Sequence, residues 1–236
     1  VQEKAGYPST LCIEGYAGSA VTTQELVRVG FTGRAYENAP FGVGASLLPE
    51  GDLTKVENQH EIATKIKNRE VYQLHLSPDC GSWTTFQNLN GTTRTADRPE
   101  GDGTREVELY GNLTGAIALW LVWLCIMYGV FFTLEHPVRS RSWRLPLMIF
   151  LLCWAGVYTI ELDQCAWVKR PGDWTPAAGD VRVHQGTKII TNNPYMEGLR
   201  KRCADVVPHK HEPMRGLSDT GENRSSEAAQ LSLIHI

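Results

Sequence analysis

Short apolar runs alternate with helix-period segments along this chain, and that alternation predicts its elements. Ser9 to Ile13 reads as a strand that ends in the turn Glu14-Gly15-Tyr16-Ala17-Gly18-Ser19-Ala20. A helix over Thr22 to Val29 closes at Gly30, and Phe31 to Glu37 reads as the second strand. Gln59 to Asn68 carries its charges on one face and reads as a helix, and Val71 to Leu76 follows as a strand. The polar stretch Gly81 to Arg105, rich in Thr, Asn, Gly and Asp, predicts a long loop. An apolar helix Leu113 to Tyr128, a strand Val130 to Leu134, a helix Leu145 to Ala155 and a strand Val157 to Leu162 complete the series. Strands alternating with helices imply βαβ units and a mostly parallel sheet.

Two apolar runs raise a second possibility. Leu113 to Leu134 carries no charge over 22 residues, the length of a bilayer-spanning helix. Leu145 to Ile160 is a shorter uncharged run, and the segment between them is basic, as cytoplasmic loops are. Gly129 divides the first run into a helix-like part and the β-rich Val-Phe-Phe-Thr-Leu, and the second run is short for a span. A globular α/β core is therefore favoured over a membrane protein.

Composition narrows the partners. A chain of 236 residues suggests one domain and a tail: an extension over 1–9, a domain over 10–216 and a disordered tail over 217–236. The net charge of −3 provides no global basic field, so any nucleic-acid contact must come from local clusters. The six cysteines form no Cys-x-x-Cys pair, and several lie in apolar runs. Reduced thiols in an intracellular protein, of nucleus or cytoplasm, are expected. The chain starts at Val1 with a polar segment and no signal-peptide pattern, and reads as a fragment. The closing Leu-Ser-Leu-Ile-His-Ile reads as foreign to the native protein.

The chemistry concentrates at predicted strand ends. The stretch Tyr72 to Trp83 reads as a buried strand that delivers Cys80 onto a loop at its carboxyl end, where a thiol can act as a nucleophile once ionised. The plainer reading of Cys80 is a buried thiol that fills space. The small residues of the first turn, Gly15, Gly18 and Ala20, would let backbone approach a ligand at a helix N-terminus. They do not match Gly-x-Gly-x-x-Gly. Nineteen residues after Gly18 stands Glu37, placed to accept both hydroxyls of a ribose. Asp52, in Gly51-Asp52-Leu53-Thr54, could accept from an adenine amino group.

In this order the motifs resemble the cytosine-5 DNA methyltransferases. Tyr16-Ala17-Gly18-Ser19-Ala20 is similar to that family's cofactor turn, Glu37 to its ribose-binding acid, and Gly51-Asp52-Leu53 to its adenine site. Ser77-Pro78-Asp79-Cys80 resembles its nucleophile loop, and Leu134-Glu135-His136-Pro137 its Glu-Asn-Val motif. The resemblance runs from about Thr10 to Pro137, and more loosely through Tyr158 to Cys165. It implies a doubly wound, Rossmann-like α/β fold and S-adenosyl-L-methionine as cofactor. Tyr16, Ala17, Gly18, Glu37, Asp52 and Leu53 would hold the cofactor, and Cys80 and Glu135 would be catalytic. Cys80 would add to carbon 6 of cytosine while Glu135 holds a proton at ring nitrogen 3, a task that needs a raised carboxyl pKa.

The chain departs from the family's pattern. Ala20 stands for a glycine, Asp79 for the proline before the cysteine, and His136-Pro137 for Asn-Val. No Gln-x-Arg-x-Arg motif follows Glu135, with Arg182 and Lys188 as possible substitutes. The large target-recognition region has no counterpart.

DNA is the expected partner, through Arg139, Arg141 and Arg144 or through Arg200, Lys201, Arg202, Lys210 and Arg215. No stable protein partner is evident. For Glu135 the alternative is an ion pair with Arg139 or Arg141. Cys203, His209 and His211 could bind zinc with Cys165, but Cys-x5-His-x-His is not a standard finger spacing, and no metal is assigned. The rival functions are a methyltransferase on another substrate, a catalytically silent binding module of the same fold, and, least favoured, a small membrane protein.

Overall fold

The computed structural model describes residues 9–18, 20–37, 51–84, 91–167, 181–206 and 208–212. Ser19, Arg215, most of the extension expected over 1–9 and the tail expected over 217–236 lie outside them.

The chain is an α/β protein built on a six-stranded mixed sheet in the order β2-β1-β3-β4-β7-β5. The strands are β1 (Leu11–Gly15), β2 (Thr32–Tyr36), β3 (Val71–Leu76), β4 (Phe131–Pro137), β5 (Tyr158–Asp163) and β7 (Gly186–Thr191). A separate two-stranded sheet pairs β6 (Val181–Val183) with β8 (Lys210–Glu212). The helices are α1 (Val21–Arg28), α2 (Val56–Lys67), α3 (Glu106–Tyr128) and α4 (Pro146–Leu152). Neighbours among β2, β1, β3 and β4 run parallel. β7 is antiparallel to both β4 and β5. The expected mostly parallel sheet is thus mixed. Gly186-Thr-Lys-Ile-Ile-Thr191 is a short strand that no flanking helix announces, and its pairing is set by distant strands.

Alternation along the strands sorts side chains to two faces. Ile13, Leu74, Leu76, Phe132 and Leu134 point to one side and pack in a single core with Ile62 and Ile66 of α2 and Ile117, Leu121 and Val122 of α3. Met148 and Leu151 of α4 join that core, and Trp123 of α3 meets Trp154 edge-on at 5.1 Å. Leu121 is fully buried, so Leu121→Ala would cost about 2–5 kcal/mol. The other face carries Glu14, Gln73, His75 and Thr133. The Glu14 carboxylate accepts from the N–H and hydroxyl of Thr23 on α1, at 2.7 and 2.6 Å.

The long apolar run resolves into two elements. Gly129 adopts φ 70°, a left-handed conformation that suits glycine. The Val130 N–H then returns to the Cys125 carbonyl at 2.9 Å, and the chain enters β4. Among the described helices, α3 alone has the length and apolar character to cross a membrane. Here it packs on α2, β3 and β4 as a core helix. It starts at Glu106, seven residues before the apolar run, because the buried Glu108 ties the preceding loop to its first turn.

Candidate functional site

The carboxyl ends of β2, β1, β3 and β4 lie side by side at one edge of the sheet. The chain leaves β1 toward β2 on one side and returns to β3 on the other. The crevice outside β1 and β3 is therefore a topological switch point, where open α/β sheets bind ligands.

At the end of β1, close approach requires Gly15. A Cβ there would stand 2.9 Å from Leu53 Cδ1 and 2.7 Å from Leu76 Cδ2, and Leu53 is wholly buried. The following turn is left-handed at Tyr16 (φ 61°), Gly18 (φ 53°) and Ala20 (φ 53°). Ala20 holds this conformation without glycine's freedom, at a cost of about 1–2 kcal/mol. Ala17 is anchored through its N–H to the Tyr36 carbonyl at 3.0 Å. The Gly18 N–H donates to the Glu37 carboxylate, so the two motifs from neighbouring strands meet. Among the described residues nothing lies within 4 Å of where a Gly18 side chain would be.

The Tyr16 hydroxyl donates to the Thr114 carbonyl of α3 at 2.9 Å. Burial, with help from Tyr110, Asp52 and Glu37, pushes its pKa above the usual phenol range. Tyr16, Glu37 and Asp52 thus share one neighbourhood. Asp52 Oδ1 accepts from the Thr54 N–H and hydroxyl at 2.8 and 2.7 Å, which shapes the turn into α2.

At the ends of β3 and β4, titratable groups gather instead. Cys80 is half-buried where the 3-10 helix Gly81–Trp83 begins. Burial, and then the charges of Asp79 and Glu135, push its thiol up to about 12. Burial raises Glu135 to about 7, against a lowering hydrogen bond from the Ser77 hydroxyl at 3.3 Å. Its neighbours are Ser77 and His75, whose Nε2 is 3.8 Å from Glu135 Oε2. Burial also lowers the pKa of His75, which favours a neutral ring, and its Nδ1 lies 2.7 Å from Thr133 Oγ1. His136 points to the opposite face, against Trp143, and burial pushes it down to about 3.

Sequence reasoning missed Arg94. It lies in the polar loop yet is 1% exposed. Its guanidinium covers the Trp83 ring at 3.4 Å and donates to the Pro99 carbonyl (2.7 Å), Asn112 Oδ1 (2.8 Å), the Glu108 carbonyl (2.8 Å) and Ser82 Oγ (3.1 Å). Burial lowers it to about 10. The Glu108 carboxylate accepts from Thr92, from the Thr93 N–H at 2.9 Å and from the Thr93 hydroxyl. Gly111 on α3 leaves the room for this: a Cβ would collide with Ser82 and sit 3.0 Å from Trp83 Nε1. The network braces the segment that follows Cys80. Its one trace in the sequence is a pair of acids, Glu106 and Glu108, in the first turn of a helix.

Arg139 and Arg144 are exposed just beyond the end of β4. Three members of the second basic group are engaged: Arg200 with Glu197 at 2.6 Å, Arg202 with Glu161 at 2.9 Å, and Lys201 over Trp167 at 4.8 Å. Lys188, one suggested substitute for the missing arginine motif, pairs with Glu161 at 3.1 Å. A largely apolar cavity of about 310 Å³ lies under the other face, between Cys12, Leu26, Gln73 and Met196, and touches the crevice groups through His75.

The chain matches no protein-family model and no curated protein sequence.

Proposed function

We propose that this chain is an S-adenosyl-L-methionine-dependent methyltransferase of doubly wound α/β type, acting on carbon 5 of cytosine in DNA. The observation that carries the reading is the shared edge. A glycine turn joined to Glu37 lies at the ends of β1 and β2, and a thiol within the field of a raised glutamate lies at the ends of β3 and β4. The doubly wound assignment is supported by the reversal of strand order at β1. It is supported further by α1 packing on β1 and β2 while α2 packs with α3.

The residues fit the cofactor. Glu37 would exchange the Gly18 N–H for ribose hydroxyls, the exposed backbone at Gly18 gives the approach, and Asp52 and Leu53 would border the adenine. The bound cofactor supplies the methyl group. Cys80, as thiolate, adds to carbon 6 of the ring. Glu135, titrating near 7, is protonated often enough at neutral pH to hold a proton at ring nitrogen 3 as charge develops there. With the cofactor bound, methyl transfer to carbon 5 would leave S-adenosyl-L-homocysteine, the carbon 5 proton would pass to solvent water, and elimination across carbons 5 and 6 would return the Cys80 thiolate. The base would have to leave the duplex to reach this edge, and the exposed Arg139 and Arg144 would contact backbone phosphates.

One observation favours a second reading, a silent binding module of the same fold. A thiol at about 12 is almost wholly protonated at neutral pH, and Asp79 contributes to that. The test is mass spectrometry after incubation with S-adenosyl-L-methionine and DNA containing 5-fluorocytosine. A covalent adduct at Cys80 is expected. Cofactor binding by calorimetry without any adduct would establish the silent module, and failure of both would end the methyltransferase reading.

A further inference from the structure

We propose that Cys165, Cys203, His209 and His211 form a structural zinc site, a reading independent of methyl transfer. The four come from three separate segments. Cys165 sits on the 3-10 helix Gln164–Ala166, directly after β5, and Cys203 on the 3-10 helix Cys203–Asp205. His209 precedes β8, and His211 lies within it, opposite Arg182 of β6. The backbone holds these segments in place. The Asp163 N–H donates to the Lys201 carbonyl at 3.0 Å, the Gln164 N–H to the Gln185 carbonyl at 2.9 Å, and the Cys203 N–H to Asp163 Oδ2 at 2.9 Å.

One ligand atom from each residue falls within 4.8 Å of the other three. Cys203 Sγ is 3.3 Å from His211 Nε2 and 3.6 Å from His209 Nε2, and the two Nε2 atoms are 3.1 Å apart. A tetrahedral zinc with ordinary Zn–N and Zn–S bonds sets its ligands about 3.4 Å apart for N···N, about 3.6 Å for S···N and about 3.8 Å for S···S. The Cys203, His209 and His211 atoms match that size to within a few tenths of an ångström, and the Cys165 thiol, within 4.8 Å of them, needs to close by at most about 1 Å. Hydrogen bonding alone explains it less well. A single proton can bridge one pair of these atoms, whereas here a thiol and two imidazole nitrogens converge on one point and a second, buried thiol joins them.

The surroundings also need a cross-link. Among the described residues β6 and β8 are three residues each and pair only with one another, a sheet too small to be stable alone in water. Four protein ligands close a zinc's coordination shell and leave no position for substrate, so the role is structural. Two thiolates with two imidazoles select zinc over magnesium or calcium. Because β5 runs in the same direction as β4, the clip sits at the carboxyl edge of the sheet and holds residues 200–212 beside it. His184 stacks on His211 with ring centroids 4.7 Å apart, but its Nε2 lies 3.5 Å from Asp163. It is outside the ligand set and serves as a control.

The test measures metal in the purified full chain by plasma mass spectrometry after expression with zinc. One zinc per chain is expected. Replacement by cobalt(II) should give the intense visible absorption and thiolate charge-transfer band of a tetrahedral site. Chelation should lower the melting temperature by several degrees, and added zinc should restore it. Cys203→Ala and His211→Ala should each lose the metal, while His184→Ala keeps one equivalent. Should Cys203→Ala not fold, titration of chelated wild-type chain with zinc replaces it and must saturate at one equivalent. No zinc in the wild-type chain together with no uptake by the chelated chain would overturn the site. So would full retention by Cys203→Ala or loss in His184→Ala.

Discussion

The two halves of the carboxyl edge are built differently. The β1/β2 half is made of backbone: left-handed turns at Tyr16, Gly18 and Ala20, and an N–H presented to Glu37. The β3/β4 half is made of ionisable side chains, the buried His75 and the half-buried Cys80 and Glu135, braced by Arg94 and Glu108. A backbone site depends on a few residues that permit unusual φ, and tolerates change around them. A site of buried charges depends on every partner, because each loss strands another group in a low-dielectric interior. The halves should therefore fail differently: the first by losing ligand, the second by losing chemistry or fold.

The largest effect is expected at Cys80, the proposed nucleophile. Cys80→Ser should reduce adduct formation and methyl transfer below detection, because a serine hydroxyl is barely ionised near neutral pH. Cofactor affinity by calorimetry should stay at the wild-type value. A parallel loss of cofactor binding would show that the two halves are one unit.

Next comes the brace. Arg94→Ala should destabilise the chain by about 3–5 kcal/mol in denaturant unfolding, the scale of breaking a buried charged network. Arg94→Lys should recover little, because an ammonium cannot both cover Trp83 and reach four acceptors. A neutral Arg94→Ala would remove the network from this account.

Glu135 yields a pH signature. Its folded pKa, about 7, lies above the ordinary carboxylate range, so the folded state holds the proton more tightly than the unfolded chain. Its contribution to stability is full below the unfolded value near pH 4 and is lost as pH rises through about 7. Glu135→Gln should remove roughly 2–3 kcal/mol of that decline, measured by urea unfolding at pH 4.5 and 7.5. Parallel curves for variant and wild type would place Glu135 in a more solvated setting than the structure gives it.

Glu37→Ala should weaken S-adenosyl-L-methionine binding by about 1–3 kcal/mol, the scale of lost charged hydrogen bonds, with thermal stability nearly unchanged. Unaltered affinity would take Glu37 out of the cofactor site. The smallest effect is expected at Asp79. Asp79→Asn removes one of the charges that raise Cys80, so alkylation by iodoacetamide at pH 8 should speed up by several-fold. An unchanged rate would leave burial and Glu135 as the controls on the thiol.

Much of the framework was legible because local pattern and fold agree. Val71 to Leu76 is a strand with the predicted bounds, and Gly129 ends α3 as its place in the apolar run implied. Other edges shifted by one to several residues: β1 starts at Leu11 and runs to Gly15, and α2 begins at Val56, three residues early. β7 was not legible, since a short antiparallel strand owes its existence to β4 and β5, which lie far off in the chain.

The sequence by itself determined which residue types could carry chemistry and that strand ends would hold them. Glycines at Gly15 and Gly18, acids at Glu37 and Glu135 and a lone thiol at Cys80 are local facts with local conformational consequences. Only the tertiary structure decided which of them meet and in what state. Burial raised Glu135 and Cys80 and drew Arg94 out of an apparently solvated loop onto Trp83, and the pairing of distant segments gathered Cys165, Cys203, His209 and His211 to one point. The physical reason is that a pKa and a ligand set depend on solvent exclusion and on neighbours from distant segments, and spacing along the chain offers candidates without fixing either.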